Sequence, residues 1–326
     1  MITLDDAAEF LRESDDIVLL SHQFPDGDTF GSAAALCMAL QSMGKRVMTR
    51  CRHEISEKYA SMFRGVQKQD FTPKTVVAVD VADIDLLGDA LKEEYEGRVD
   101  LCIDHHASNR PFSERTFVDS AAASTTEIIY ALITKLGAKI TKEIAEAIYT
   151  GITTDTGCFK YPNATPRTYR VAACMMETGI DAADINRRMF DTKTRARLEM
   201  ERMVLDSIQF YHDDRCAVAY ILRDMVASSK ANEDDLEGLA AIPRQVEGKK
   251  ARVEKRGGGV GGVAPFFYPI LVVKKRRPAG LETAAGWTWA VRRWPGRNRR
   301  TARCSASARR RAAFSAWDGR TQRQTN

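Results

Sequence analysis

The chain has 326 residues, long enough for two domains, each with its own core. Hydrophobic residues make up 44% and charged residues 29%, the balance of a soluble globular protein rather than a membrane-embedded or disordered one. The net charge of +5 hides two compositions: residues 251–326 carry fifteen Arg and three Lys against two Glu and one Asp, a net of +15, which leaves −10 for residues 1–250.

The seven cysteines are odd in number and scattered, with no C-x-x-C pair. That argues against a disulfide framework or a thiolate zinc site and for a reducing compartment. The segment Met1 to Arg12 is acidic and amphipathic and lacks an apolar signal core. The late apolar run Gly262 to Val273 would span only ~18 Å as a helix, short of the ~30 Å of a bilayer. These features predict a cytoplasmic protein with no membrane partner.

In chain order, Leu4 to Arg12 has helical spacing and Ile17 to Leu20 reads as a buried strand. Ser21-His22-Gln23-Phe24-Pro25-Asp26-Gly27-Asp28 follows as a tight loop, then a helix from Gly31 to Met43 stopped by Gly44. A strand over Lys45 to Arg50, a β-branched strand Thr75 to Val79 ending on Asp80, and a strand into Asp104-His105-His106 come next. Helices are predicted over 124–136 and 144–154, the second leading into Asp155-Thr156-Gly157. Strands separated by helices imply parallel β-α-β units, hence an α/β fold with a doubly wound, mainly parallel sheet. Further helices are predicted over 168–176, 182–190 and 194–210, the last a connector. Cys216 to Leu222 reads as a strand opening a second, incomplete α/β domain, with a helix over 234–241 stopped by Pro243. The expected organisation is a catalytic domain over 1–192, a connector over 193–213, the start of a substrate domain over 214–248, and a basic tail over 249–326.

Four strand ends or loop starts carry His22, Asp26 and Asp28, then Asp80, then Asp104, His105 and His106, then Asp155. In a parallel sheet such ends share one edge, where ligands bind. Each piece also has a plain structural reading. Pro-Asp-Gly-Asp is ordinary turn chemistry, and Asp80 or Asp155 could cap a helix. His105-His106 could be a surface pair. Asp83 and Asp85 read as solvated or capping, and His53 and His212 as structural or exposed. The conjunction is harder to dismiss. Crowded carboxylates repel one another unless cations neutralise them, and carboxylates with a few imidazoles suit Mn²⁺ or Mg²⁺. Two such ions ~4 Å apart share a carboxylate, clamp a phosphate and acidify water.

The words SHQFPDGDTFGS (21–32), VVAVDVAD (76–83), IDHHASN (103–109) and GITTDTGCFKYPNATPRTY (151–169) resemble the DHH phosphoesterase family. Within it the likeness runs to the bifunctional oligoribonuclease and 3′-phosphoadenosine 5′-phosphate phosphatase group and covers roughly residues 1–248. The resemblance implies two Mn²⁺ ions, with Mg²⁺ as the alternative. One would be held by His22, Asp26 and Asp80, the other by Asp28, Asp80, His105 and Asp155. It also implies His106 as electrostatic stabiliser or acid at the scissile phosphate, with Asp104 orienting the adjacent histidine. The implied substrates are short RNA oligonucleotides, cut from an end, and adenosine 3′,5′-bisphosphate; a homodimer is also expected. The alternatives are a cyclic- or linear-dinucleotide phosphodiesterase and a catalytically impaired nucleic-acid-binding protein.

The likeness stops near Gly248. The family's Gly-Gly-Gly-His loop has no counterpart, since Gly257-Gly258-Gly259 is followed by Val260 and no histidine occurs after His212. The abrupt change of composition reads as a frame-shifted continuation, with a basic RNA-attracting tail as its rival. On either reading the segment 249–326 is expected to be largely unfolded, with Pro265 to Val273 exposed.

Overall fold

The structure, a computed structural model, describes residues 1–211, 216–236, 238–246 and 267–273. The chain opens with α1 (Leu4–Glu13), whose first turn is closed by a capping box between Thr3 and Asp6. There follow β1 (Ile17–Leu20), α2 (Gly27–Ser42), β2 (Val47–Arg50), β3 (Thr75–Val79), α3 (Asp89–Tyr95), β4 (Leu101–Asp104) and β5 (Arg115–Val118). Next come α4 (Thr125–Leu136), α5 (Lys142–Asp155), α6 (Pro166–Glu177) and α7 (Ala182–Asn186). The strands form one parallel sheet in the order β2-β1-β3-β4-β5. The α/β class and the parallel sheet expected from the sequence are therefore present. The strand β5 was not foreseen, because four residues reading Arg-Thr-Phe-Val carry too little apolar signal.

Apolar runs without polar alternation mark strands covered on both faces, and the burial bears this out. Ile17, Leu19, Val77, Val79, Leu101 and Ile103 enter a large core with α1, α2, α4 and α5. Their neighbours Val18, Leu20, Val76, Ala78 and Cys102 enter a second core against Leu87, Leu91, Tyr95 and Val99.

Helix α2 is the centre of the larger core and is buried from Gly27 to Leu40. It starts at Gly27 rather than Gly31, because Asp26 caps it with a side-chain oxygen that accepts from the N–H groups of Asp28 and Thr29. It packs so closely on α5 that a Cβ at Gly31 would lie 2.6 Å from the Ala147 carbonyl oxygen.

A second, antiparallel sheet follows α8 (Arg195–Asp206), shorter than the predicted 194–210. Its strands are β6 (Gln209–Tyr211), β7 (Cys216–Leu222) and β8 (Phe267–Val273), in that order. Between β7 and β8 lie α9 (Arg223–Ser229) and α10 (Glu233–Leu236). The helix expected over 234–241 is not one helix. α10 ends at Leu236 and a 3₁₀ segment, Leu239–Gln245, runs through Pro243 instead of stopping before it. Met200 and Val204 of α8, Ala217 and Ala219 of β7, and Leu239 and Ile242 make a separate small apolar cluster.

The expectation of an unfolded tail from residue 249 is corrected at one place. Phe267–Val273 pairs with β7 in continuous register from Cys216↔Val273 to Leu222↔Phe267. Its backbone pairs with β7 on one side, and Pro269 is accommodated because β8 is the edge strand of this sheet. The rest of 249–326, with the Gly257–Gly259 run, and His212 lie outside the described residues. Among the described residues no helix is long and apolar enough to cross a membrane.

Replacing Gly31 with Ala should force α2 and α5 apart and lower stability by about 1–3 kcal/mol, read as a fall in melting temperature. An unchanged melting temperature would show that the two helices are not held at this spacing.

Candidate metal centre

The chemistry-bearing residues leave the carboxyl ends of β1, β3 and β4 and the ends of two helices, α2 and α5. β1 delivers His22. The loop then turns into α2, so Asp26 is its cap and Asp28 lies in its first turn. β3 delivers Asp80, whose backbone is left-handed at φ +59°. Aspartate tolerates that region better than most residues, and such strain gathers at functional sites. β4 delivers Asp104, then His105 and His106. Asp155 is the last residue of α5, which stops there because Gly157, Cys158 and Phe159 all turn left-handed.

These residues meet. His22, Asp26 and Asp80 place one candidate ligand atom each within 4.8 Å of one another, and so do Asp28, His105 and Asp155. Asp80 belongs to both sides. Its Oδ2 is 3.8 Å from His22 Nε2, and its Oδ1 is 3.8 Å from His105 Nε2. His105 Nε2 also stands 3.8 Å from Asp28 Oδ2 and 3.3 Å from Asp155 Oδ2. Yet it is buried and makes no hydrogen bond. The other ring nitrogen, Nδ1, faces the Ala122 carbonyl at 3.4 Å and donates to it. In the neutral ring this leaves a bare lone pair on Nε2, aimed at three carboxylates. A cation between them satisfies all four groups, so the donor set fits a divalent metal.

A layer of threonines, missed by the sequence reading as functional, holds the carboxylates. Asp28 accepts from the backbone N–H of Thr125 at 2.6 Å, and from the N–H and hydroxyl of Thr126 at 2.8 Å each. Asp80 accepts from the Thr29 hydroxyl at 2.5 Å and the Thr125 hydroxyl at 2.8 Å. The N-terminus of α4 thus points at the cluster, where its dipole favours negative charge. That end is fixed in turn by Ser124 as cap. Glu127, fully buried, accepts from the Ala123 N–H at 2.9 Å and pairs with Arg167 at 2.9 Å. Nothing in the sequence marked these threonines beyond their place at or near a helix start.

Asp104 is fully buried and holds His106 rather than the His105 ring. Its Oδ1 takes the His106 Nδ1–H and the His105 backbone N–H, both at 2.8 Å, and its Oδ2 takes the Asn109 amide at 2.7 Å. Burial works against its charge, but these donors hold its carboxyl below the usual range. The same hydrogen bond raises His106 to about 9. Burial and the neighbouring charges of Asp80, Asp155 and Asp26 keep Asp28 well above the ordinary carboxylate range. Burial and the charges of Asp26 and Asp80 lift Asp155 to about 8. Of the residues set aside, Asp83 caps a one-turn 3₁₀ helix, Ile84–Leu87, Asp85 pairs with Lys92, and His53 is exposed.

Comparison with known proteins finds a matching family and named relatives. Residues 16–152 match the DHH family, N-terminal domain. That match spans the parallel sheet, α4 and most of α5, with Asp155 just past it. It is similar to the bifunctional oligoribonuclease and PAP phosphatase NrnA of Thermus thermophilus, 29% identical over 264 residues, 74% of this chain and 76% of that one. It is also similar to the protein of the same name from Bacillus subtilis, 24% identical over 245 residues, 73% of this chain and 77% of that one. Among solved structures it resembles an exopolyphosphatase-related protein from Bacteroides fragilis, with a TM-score of 0.65 at 25% identity, covering 75% and 76% of the two chains.

Two outcomes follow for the metal-free protein. Asp155 releases its proton near pH 4 when unfolded and at about 8 when folded. Its contribution to stability is therefore full at low pH and is lost as pH rises through 8. The melting temperature of the chelated protein should fall between pH 5 and 8, and a divalent ion should raise it more at pH 8 than at pH 5. A flat or rising profile would contradict the crowding. Thr126→Val, which removes one of three donors to Asp28, should weaken metal affinity by roughly 10–100-fold, measured by calorimetry.

Proposed function

We propose that this chain, a phosphoesterase of the DHH family, hydrolyses short oligoribonucleotides from one end and removes the 3′-phosphate of adenosine 3′,5′-bisphosphate. The observation that carries the reading is the buried, unbonded His105 Nε2 ringed by carboxylate oxygens of Asp28, Asp80 and Asp155. That is a preformed cation site at the carboxyl edge of a parallel sheet. The substrate class is supported by two relatives named oligoribonuclease and PAP phosphatase, each covered over about three quarters of its length.

Mn²⁺ is the proposed ion, since it accepts both carboxylate and imidazole donors, and Mg²⁺ is the alternative. His22, Asp26 and Asp80 would hold one ion; Asp28, Asp80, His105 and Asp155 would hold the other. Asp80 would bridge, its two oxygens already facing opposite sides. Bound ions would acidify the attacking water and offset the charge of the phosphate.

The chain's own groups do the rest. His106 is charged at neutral pH and half-exposed, so its imidazolium faces the phosphate and supplies a proton to the departing oxygen. Asp104 fixes that ring through Nδ1 and keeps it charged. Water gives up a proton to solvent as it adds to phosphorus, the ester P–O bond breaks, the leaving alkoxide takes the His106 proton, and solvent reprotonates His106. The small sheet β6-β7-β8 and its apolar cluster stand as the start of the substrate domain in this proposal.

Asp80→Asn should abolish hydrolysis of a diadenosine dinucleotide and weaken Mn²⁺ binding at both positions. Unchanged turnover in that variant would refute the two-ion assignment. Asp104→Asn should lower the His106 titration midpoint from about 9 toward the ordinary imidazole value, read by NMR, and reduce kcat more than it changes KM.

A further inference from the structure

A cavity of about 370 Å³ opens at the carboxyl ends of β1 and β2, outside the carboxylate cluster. It is lined by Ser21 at the end of β1, by the stretch 49–55 that leaves β2, by Phe30 of α2 and by Phe63. Two contacts join it to the loop that presents His22. Cys51 Sγ donates to the His22 carbonyl oxygen at 3.3 Å, and Arg52 Nη1 donates to Gln23 Oε1 at 2.7 Å. A group seated here is therefore next to whatever the His22 side of the metal centre holds.

The two sides of the cavity differ. One is apolar: Phe30 and Phe63 meet edge to face with centroids 5.4 Å apart, and Ile55 sits at the rim, 39% exposed. The other is cationic. Arg50 is engaged by Glu94 and Tyr95. Arg52, exposed, is bonded to a neutral amide and has no ion-pair partner among the described residues. His53 is exposed beside it, against one exposed carboxylate, Glu54. Apolar and aromatic side chains lining the same cavity as a guanidinium that has no ion-pair partner among the described residues suit a flat base attached to a phosphate. The volume lies at the small end of ligand sites, enough for one nucleotide unit and not for a strand.

We propose that this cavity seats one nucleoside 5′-monophosphate unit of the substrate, its base against Ile55 and Phe63 and its phosphate on Arg52. The inference rests on the phosphoesterase reading and deepens it, since a compartment for a single unit beside the metal loop selects short ends over long strands.

The test uses the full chain with Mn²⁺ and four probes: adenosine, adenosine 5′-monophosphate, a 5′-phosphorylated diadenosine dinucleotide, and bis(p-nitrophenyl) phosphate, which has no base. Ile55→Trp fills the rim without touching a metal ligand. It should weaken nucleotide binding and raise KM for the dinucleotide by about tenfold, with turnover of the baseless ester unchanged. Arg52→Gln should weaken binding of the monophosphate but not of adenosine. Unchanged nucleotide binding in both variants overturns the subsite and leaves the phosphoesterase reading intact, and an equal loss on both esters also overturns the subsite. A wild-type chain that cleaves neither ester, yet binds the monophosphate in a way that Ile55→Trp abolishes, supports the cavity's assignment and sinks the phosphoesterase reading.

Discussion

Four aspartates, Asp26, Asp28, Asp80 and Asp155, are drawn together around two histidine rings in a place where water cannot screen them. Asp28 and Asp80 are almost wholly buried, and burial makes like charges more costly. The rest of the site answers that constraint. Threonine hydroxyls and the N–H groups at the start of α4 absorb part of the charge. Protons absorb more, which is why Asp28 and Asp155 titrate high. What remains suits a divalent cation, since the His106 imidazolium beside the cluster is already held by Asp104.

The fold makes the crowding unavoidable. Parallel strands send their carboxyl ends to one edge, and β1, β3 and β4 are adjacent in the sheet. The helix after β1 is the core's central element, so Asp26 and Asp28 are anchored by the packing of α2 against α4 and α5 rather than by a free loop. A site built on such elements is held more rigidly than one carried by loops alone.

The clustered acids and histidines were readable from the sequence because a strand ending on a charged residue is a conspicuous break in an apolar run. Ile17 to Leu20, Thr75 to Val79 and Leu101 to Ile103 each end so. The supporting layer was not readable. Thr29, Thr125 and Thr126 sit at helix starts, where a hydroxyl has an ordinary capping role, and their partners are 45 to 98 residues away. That Asp104 holds the His106 ring rather than that of His105 depends on side-chain directions beyond β4 that spacing cannot give. The strand β8 was hidden for another reason: its surroundings are compositionally foreign to the rest of the chain, and a neighbour to pair with can impose extended structure on a short apolar run.

The left-handed backbone at Asp80 narrows what this position can evolve into. Asparagine could occupy the same backbone but would forfeit the charge. Glutamate would keep the charge, yet its longer stem must bear the same strained φ while swinging both oxygens past the two threonine hydroxyls that now grip them. The exchange usually regarded as mildest for an acid is therefore among the harshest here, and drift at this position is closed in both chemistry and conformation.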